Sequence, residues 1–225
     1  CKHVAVVTVI SEETKRQLIS EIQIPADRIH VVPVSVSSRF QPIVRPFRSE
    51  CPRILQIGTK ANKNVVRLAQ ALKGMTCHLD IVGTLSDEIR KALSDNDIKF
   101  TNYLQLTDNE ILERYADADV VSFVSTYEGF GMPIVEAQSV ERVCVTSNCS
   151  SMPEVAGDGA CLVDPFDVSS IRSGFRKVIE DAGYRNQLIA NGRINKRRFD
   201  AQRIGKDFLK LYNQVNDAAG NERVT

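Results

Sequence analysis

The sequence feature that most constrains the fold is an apolar run followed by a glycine-containing segment and a proline. Residues 119–124 are mainly apolar and β-branched, which is typical of a buried strand in a parallel sheet. Pro133 suits the first turn of a helix, where its missing N–H costs no hydrogen bond. Gly129 and Gly131 permit tight backbone geometry and close approach of a ligand. The segment therefore predicts a strand, a glycine loop and a helix in succession.

Two glutamates belong to this segment. Glu128 lies in the loop and Glu136 in the second turn of the predicted helix. Both are expected to face one crevice at the carboxyl end of the strand, where open α/β sheets bind ligands. The start of the helix would add free N–H groups and a partial positive charge, which suit a phosphate or a sugar hydroxyl. The plainer interpretation is a tight turn with two solvated glutamates.

The alternation of strand and helix patterns continues through most of the chain. Six short runs predict strands at 53–57, 78–82, 100–104, 119–124, 142–147 and 160–163. Apolar residues at helical spacing predict helices between these strands, and after them at about 168–179, 184–199 and 202–215. The predicted fold class is therefore α/β, a Rossmann-like parallel sheet with helices on both faces.

The first 36 residues form a separate strand–helix–strand pattern. Residues 3–10 and 30–36 are predicted strands, and Ser11 is a candidate N-cap for a helix that ends near residue 22. Such a piece is too short to bury a core alone. Prolines without a clear period make 37–52 a candidate linker, and residues 217–225 are predicted to be a frayed tail.

Two pairs of side chains have the spacing of a capping box. Thr107 with Glu110, and Ser151 with Glu154, are each three residues apart at the expected start of a helix. Gly157 is expected to close the short helix that begins after Ser151.

Composition excludes several function classes. The net charge of +1 gives no bulk field for nucleic acid, and no apolar run approaches the length of a membrane span. The six cysteines show no paired metal spacing, so no metal site or cofactor is predicted. Cys144, Cys149 and Cys161 are interpreted as small core residues in a reducing, cytoplasmic compartment.

The segment 127–138 resembles the signature of retaining glycosyltransferase family 4, also called glycosyl transferases group 1. That signature has two glutamates separated by seven residues, with Gly-Phe-Gly after the first, as Glu128 and Glu136 have here. The order of motifs also resembles the donor half of the two-domain GT-B fold. By this resemblance, residues 1–44 are a remnant of the N-terminal acceptor domain plus linker, and 45–216 are the nucleotide-sugar-binding C-terminal domain. Most of the acceptor domain would then lie outside this sequence.

The resemblance implies roles for individual side chains. Glu128 would lie near the donor sugar as the nominal catalytic residue, and Glu136 would bind the ribose hydroxyls. Lys63 matches a family lysine that holds the diphosphate, whose negative charge grows as the sugar leaves. Thr59 stands where the family has an arginine, and Lys60 is its candidate substitute, although a lysine gives no bidentate contact. Both lysines could equally be solvated turn residues.

Further substrate contacts are implied around the loop. Backbone amides would be presented to the sugar and the distal phosphate by Gly129, Phe130, Gly131 and Met132. Tyr103 and Leu104 correspond to the region that cups the base, and Gly83 would let the backbone approach the nucleotide. An ordinary turn is an equal interpretation of Gly83. The sequence has no Asp-x-Asp pair at the expected donor site, which fits a metal-independent enzyme.

The resemblance implies a hexosyltransferase of polysaccharide biosynthesis with two substrates. The donor would be a UDP- or GDP-hexose and the acceptor a glycan or a lipid-linked molecule. This chain alone is expected to be inactive, because GT-B sites lie between two domains. Four basic residues lie close together late in the chain: Arg193, Lys196, Arg197 and Arg198. Contact with anionic lipid at a membrane surface is one interpretation of this basic cluster, and a solvated helix face is the other.

Two functions of other classes remain open at this stage. A non-catalytic nucleotide-sugar-binding or scaffold module would keep the sheet and lose turnover, and the departure at Thr59 motivates it. A dinucleotide-dependent oxidoreductase is disfavoured, because no Gly-x-Gly-x-x-Gly follows a predicted strand. A P-loop nucleotidase is excluded by the lack of Gly-Lys-Ser/Thr.

Overall fold

The computed structural model describes residues 4–22 and 24–221. The strands among these residues are β1 (Val7–Val9), β2 (Ile29–Val31), β3 (Arg53–Ile57), β4 (His78–Val82), β5 (Phe100–Tyr103), β6 (Val120–Phe123), β7 (Val143–Ser147) and β8 (Cys161–Val163). The helices are α1 (Glu12–Ile22), α2 (Val65–Leu72), α3 (Asp87–Asp95), α4 (Asp108–Asp117), α5 (Met132–Ser139), α6 (Met152–Ala156), α7 (Val168–Glu180), α8 (Ala182–Asn195) and α9 (Ala201–Asn221). Short 3-10 turns occupy Ala26–Arg28, Ala61–Lys63 and Lys196–Phe199.

All strand pairs are parallel and form two sheets. The larger sheet has the order β5-β4-β3-β6-β7-β8, and β1 pairs with β2 in the smaller one. β6 lies inside the larger sheet, with Val120 opposite Ile54 on one side and Val143 on the other. All four residues of β6 are buried, as the apolar run at 119–124 predicts.

Helices cover both faces of the larger sheet. On one face Val120 and Val124 belong to a core that includes residues of α2, α3, α7 and α8. On the other, Val121 and Phe123 join a core that includes residues of α4, α5 and α6. Side chains of one strand thus alternate between two cores, which makes the sheet a fully covered layer. The predicted Rossmann-like α/β class is confirmed.

The buried cysteines act as packing residues. Cys144 and Cys161 are buried in the two cores, and burial raises the pKa of both thiols. Cys149 is half-buried, and its Sγ lies 3.5 Å from the Thr126 carbonyl oxygen. The interpretation of these residues as small core hydrophobes therefore holds for Cys144 and Cys161, and Cys149 lies at the core boundary.

The N-terminal strand–helix–strand piece packs on the last helix. Val9 and Ile29 form a small core with Ile24. Val32, just after β2, packs against Ile204 and Leu211 of α9. The first strands therefore gain a second apolar surface from the end of the chain, which offsets their short length.

Some element boundaries differ from the prediction. β2 ends at Val31 rather than at residue 36, because Pro33 has no N–H for the strand ladder. β1 covers Val7–Val9 of the predicted 3–10, and residue 3 lies outside the described residues. α9 continues to Asn221, so the predicted tail at 217–225 begins inside a helix, and residues 222–225 lie outside the described part.

The two predicted capping boxes have different outcomes. Thr107 and Glu110 form one: the Thr107 hydroxyl accepts from the Glu110 N–H, and the Glu110 carboxylate accepts from the Thr107 N–H. The box at Ser151 and Glu154 is wrong, because Ser151 has right-handed helical backbone angles and makes no side-chain cap bond. Gly157 closes α6 as expected. Across residues 4–22 and 24–221, no helix combines the length and the apolarity that a bilayer crossing needs.

Candidate functional site

Two loops meet at the carboxyl edge of the larger sheet. Because β3 and β6 are parallel neighbours, the loops that follow them leave the sheet side by side. The Thr126 N–H donates to the Asn62 carbonyl oxygen over 2.8 Å, and the Asn62 side-chain amide donates to the Tyr127 carbonyl oxygen over 3.0 Å. These bonds fix the predicted phosphate-binding loop against the glutamate loop.

Lys63 and Glu128 form an ion pair across this junction. Lys63 Nζ lies 2.6 Å from Glu128 Oε1, and Asn62 Nδ2 donates to the same oxygen over 3.0 Å. The two charged side chains are 18% and 17% exposed, so solvent screens their interaction less than at an open surface. Lys63 Nζ also lies 4.6 Å from the centroid of the Phe123 ring. The structure thus brings together two of the predicted site residues.

A glycine makes room for the lysine. Gly58 has φ +85, and a Cβ there would lie 3.0 Å from Lys63 Cε. The Lys63 stem therefore passes close to Gly58, where a side chain would be strained by the positive φ and would have to displace the lysine.

The glycine loop presents unused backbone donors. Among hydrogen bonds of the described residues, none has the N–H of Gly129, Phe130, Gly131 or Met132 as donor. Gly131 has φ +129 and precedes α5, whose first turn contains Pro133. A Cβ at Gly131 would lie 3.0 Å from Ile134 Cδ1, so the turn requires glycine for space and for backbone angle. The N–H groups at the start of α5 are thus available to an anion.

Neighbouring side chains hold the loop from behind. The Ser151 hydroxyl lies 2.8 Å from the Glu128 carbonyl oxygen and 2.5 Å from that of Phe130. The Phe130 ring is buried and packs edge-on against Phe199, with 5.5 Å between ring centroids. Phe130 can therefore offer a ligand its main chain, while its side chain belongs to the core.

The start of α1 contacts the same loop. Ser11 Oγ and Thr14 Oγ1 both donate to the Gly129 carbonyl oxygen, over 2.8 and 3.2 Å. Ser11 Oγ also accepts from the Thr14 N–H, which confirms it as the N-cap. The Glu154 carboxylate accepts the Glu12 N–H at 3.0 Å from each oxygen, which is the role it takes instead of capping α6.

Glu136 lies on α5 with a partner of its own. The Tyr115 hydroxyl, on α4, donates to Glu136 Oε2. Burial raises the pKa of Glu136, and the bond from Tyr115 opposes that rise. Burial also raises the pKa of Tyr115 well above its ordinary value, so this phenol stays protonated and remains a donor. Within the described chain, the hydrogen bond of the Glu136 side chain goes to Tyr115 and not to the Lys63–Glu128 pair.

Gly83 packs against Thr59, the residue that stands where the resembled family has an arginine. Thr59 Oγ1 donates to the Thr84 carbonyl oxygen over 2.7 Å. Gly83 has φ +133, and a Cβ there would lie 2.9 Å from Thr59 Oγ1. Lys60 is exposed and lines a cavity of 590 Å³ together with residues at the starts of α2 and α3. In the loop predicted to bind the diphosphate, the Thr59 hydroxyl is therefore bonded to the backbone, while both Thr59 and Lys60 line the cavity.

The residues predicted to cup the base lie at the end of the edge strand β5. The Tyr103 hydroxyl lies 3.3 Å from Asp80 Oδ1 and accepts from Arg114 over 3.0 Å, so it belongs to a polar network on the sheet. Leu104 is 55% exposed. The structure thus engages the Tyr103 side chain and leaves Leu104 open to contact.

Three residues of the basic cluster bond to neighbouring elements. Arg193 forms an ion pair of 2.6 Å with Glu141, and Lys196 Nζ lies 3.4 Å from the Ser139 carbonyl oxygen. Arg198 donates to the Glu154 carbonyl oxygen over 3.0 Å. These contacts favour a structural role over a lipid-binding one.

Sequence reasoning missed the supporting residues of the site. Asn62 and Ser151 bond the glutamate loop, and Tyr115 bonds Glu136. Asn62 stood one residue before a predicted ligand, which was a usable signal. Tyr115 sits in an apolar helical pattern and gave none. The described residues place no group of three or more His, Cys, Asp and Glu side chains where a metal ion could be held.

Comparison with known proteins identifies relatives in sequence. The family model described as glycosyl transferases group 1 matches residues 41–195. The O-antigen chain mannosyltransferase B of Escherichia coli is 28% identical over 229 residues, which cover 90% of this chain and 59% of that protein. The MMP alpha-(1->4)-mannosyltransferase of Mycolicibacterium hassiacum is 28% identical over 199 residues, which cover 82% of this chain and 47% of that protein. The chain thus spans roughly half of each relative.

Solved structures share the architecture. Sucrose-phosphate synthase from Thermosynechococcus elongatus superposes with a TM-score of 0.82 at 18% identity, over 95% of this chain and 59% of that one. Anabaena HepE, in complex with UDP and glucose, superposes with a TM-score of 0.83 at 16% identity, over 95% of this chain and 64% of that one. The fold is therefore the Rossmann-like fold of the GT-B glycosyltransferases.

Proposed function

This chain belongs to the glycosyl transferases group 1 family, and on that basis we propose that it is the donor-binding half of a retaining hexosyltransferase. The donor is a nucleotide-activated hexose. The acceptor is a glycan or a lipid-linked molecule, and it binds on a half of the enzyme that this chain does not supply. The proposal has three further parts. Transfer needs no metal ion, the enzyme acts in the cytoplasm, and this chain alone is inactive.

The observation that carries the proposal is the shielded Lys63–Glu128 pair beside a loop with unused N–H groups. Breaking the bond between sugar and diphosphate builds negative charge on the leaving phosphate and positive charge at the anomeric carbon. A fixed cation and fixed N–H donors stabilise the first, and a fixed carboxylate stabilises the second. Lys63 and the N–H groups at the start of α5 would stabilise the leaving phosphate, and Glu128 would stabilise the anomeric carbon.

Glu136 completes the proposed donor site. Its Oε2 accepts from Tyr115, which leaves Oε1 as an acceptor for a ribose hydroxyl. The Tyr115 bond fixes the rotamer of the carboxylate, so the acceptor oxygen is positioned before the nucleotide binds.

A mannosyl donor is the first candidate for the hexose. Relatives named as mannosyltransferases are 28% identical to this chain over most of its length. UDP in the structural neighbour HepE keeps a uridine donor as the second candidate.

Isothermal titration of this chain with GDP-mannose, UDP-glucose and UDP-N-acetylglucosamine tests the proposal. We expect one donor to bind, and Lys63→Met to weaken it about tenfold or more, as loss of a hydrogen bond to a charged group does. Lys91→Met is the matched control, because Lys91 is an exposed lysine on α3 that pairs with Asp95. No binding of any donor, or equal weakening by both variants, would contradict the proposal.

A second candidate function is a non-catalytic nucleotide-sugar-binding module. The Thr59 hydroxyl, which stands at the family's arginine position, is bonded to the Thr84 carbonyl and adds no cation. An assay of sugar transfer, with the acceptor half of the enzyme added, distinguishes the two functions. If the chain is a transferase, wild type transfers the sugar, whereas Glu128→Ala binds the donor but does not transfer it. If the chain is a binding module, neither wild type nor the variant transfers the sugar.

A further inference from the structure

A small cavity lies at the edge of the sheet opposite the proposed donor site. Its volume is 150 Å³, which is large enough to hold a small ligand rather than one water. Asp119 and Arg142 line it, and they directly precede β6 and β7. The cavity therefore opens at the amino ends of the strands, while Glu128 follows the carboxyl end of β6.

Two guanidinium groups in its wall have no carboxylate partner among the described residues. Arg142 is 8% exposed, and its terminal nitrogens donate to the carbonyl oxygens of Ile43 and Ala116, over 2.9 and 3.0 Å. Arg185 donates to the carbonyl oxygens of Val178 and Ile179. Burial lowers the pKa of both arginines, and the charge of the Asp119 carboxylate offsets only part of that effect at each.

Arg142 also keeps one unused donor. Its Nε is buried and has no hydrogen-bond partner within the described part of the chain. A buried charge with an unmade hydrogen bond is costly. Because this N–H is itself buried, a negative ligand in the cavity would offset that cost through its charge rather than through a bond to Nε.

The acidic residues in the wall already have counter-ions. Asp119 accepts from the Arg48 side chain over 2.7 Å and from the Arg53 N–H over 2.8 Å. Glu141 pairs with Arg193 over 2.6 Å. The third arginine of the wall, Arg45, pairs with Asp117 over 2.8 Å. Arg142 and Arg185 are therefore the arginines of the wall that form no ion pair among the described residues.

We propose that this cavity is a binding site for one phosphate-class oxyanion, held by Arg142 and Arg185. The Arg185 guanidinium lies 3.8 Å from the centroid of the Phe47 ring, and Arg142 holds the Ile43 carbonyl, so both arginines contact the segment before β3. A bound oxyanion therefore joins this segment to β7 and α8. The ligand is inorganic phosphate or the terminal phosphate of a monoester, because guanidinium groups match the geometry of phosphate oxygens.

Thermal unfolding of the chain in phosphate, at an ionic strength matched with sodium chloride, tests the site. The variant Arg185→Gln removes one of the two guanidinium groups proposed to hold the anion. Arg172→Gln is the matched control, because Arg172 also donates to helix-terminal carbonyls, those of Ala71 and Lys73, and does not line the cavity. Phosphate stabilises proteins generally by exclusion from their surface, and the control variant measures that effect.

We expect a saturable rise of the melting temperature in wild type and in Arg172→Gln. In Arg185→Gln the apparent Kd should rise about tenfold or more, and Arg185→Lys should lie between the two. A parallel titration with glycerol phosphate separates the sources: a saturable rise there assigns the site to phosphate esters, and its absence assigns it to the free ion. An identical phosphate response in wild type and Arg185→Gln would overturn the proposal.

Discussion

The shielded pair of Lys63 and Glu128 allows a quantitative test of the site geometry. Lys63→Met removes the cation, and Glu128→Gln removes the anion while it keeps an oxygen that can accept from Asn62. The pair is neither at an open surface, where such pairs contribute about 0–1 kcal/mol, nor fully buried, where breaking one costs about 3–5 kcal/mol. We therefore expect a coupling energy of about 1–3 kcal/mol between the two changes.

Urea unfolding of wild type, the two single variants and the double variant gives this coupling energy directly. Thermal unfolding provides a second readout, in which each kcal/mol corresponds to a shift of about 2–4 °C in the melting temperature of a chain of this size. Lys91 and Asp95 provide the control cycle, because their charged atoms lie 2.8 Å apart but their side chains are 75% and 55% exposed. The expected coupling there is about 0.3–0.5 kcal/mol.

The comparison of the two cycles decides whether shielding matters. Added salt should reduce the control coupling, whereas the Lys63–Glu128 coupling should persist, because exposed charges are screened more strongly. If the two coupling energies are equal, or if salt removes both alike, Lys63 is not held by Glu128 in solution. The proposed donor site then loses its central contact.

Two further predictions concern the surrounding residues. Because burial raises the pKa of Glu136 in the folded state, its ionised form costs stability at neutral pH and the cost disappears as pH falls towards the ordinary value of 4.5. Glu136→Gln should thus be more stable than wild type at neutral pH, with a difference that shrinks in acid; a constant difference in urea melts would contradict this. Gly83→Ala should lower the free energy of unfolding by about 2–3 kcal/mol, since its φ is +133 and the new methyl meets Thr59. Gly74→Ala, with φ +70 and open space, should cost about 1 kcal/mol, and equal losses in thermal melts would refute the steric argument.

The order of strands and helices was predictable because it depends on local periodicity. Apolar runs such as 53–57 and 78–82 match β3 and β4 to the residue. The family resemblance assigned Lys63 and Glu128 to one donor site, and the structure brings them together because loops after parallel strands leave the sheet at one edge. The early end of β2 had a signal in Pro33, which the apolar character of 30–36 outweighed in the prediction.

The supporting bonds of the site depend on tertiary placement and had no local pattern. Tyr115 and Glu136 are on different helices, and a tyrosine at a core position is indistinguishable in sequence from a packing residue. Ser151 and Glu154 have the spacing of a capping box, yet each finds a better partner elsewhere: the loop carbonyls for Ser151 and the Glu12 N–H for Glu154. Spacing rules consider one helix in isolation, whereas in the folded chain neighbouring elements compete for the same polar groups.

The contact of α1 with the glycine loop makes one carbonyl a mechanical link. Ser11 and Thr14 both donate to Gly129, whose peptide unit borders the unused amides. A rigid-body shift of the amino-terminal helix would release that oxygen and let the peptide rotate, at a cost of about 1 kcal/mol for each bond broken. The orientation of the amides proposed to bind the donor thus depends on a contact from outside the larger sheet, and a displacement of the first helix would reach them through two hydroxyl groups.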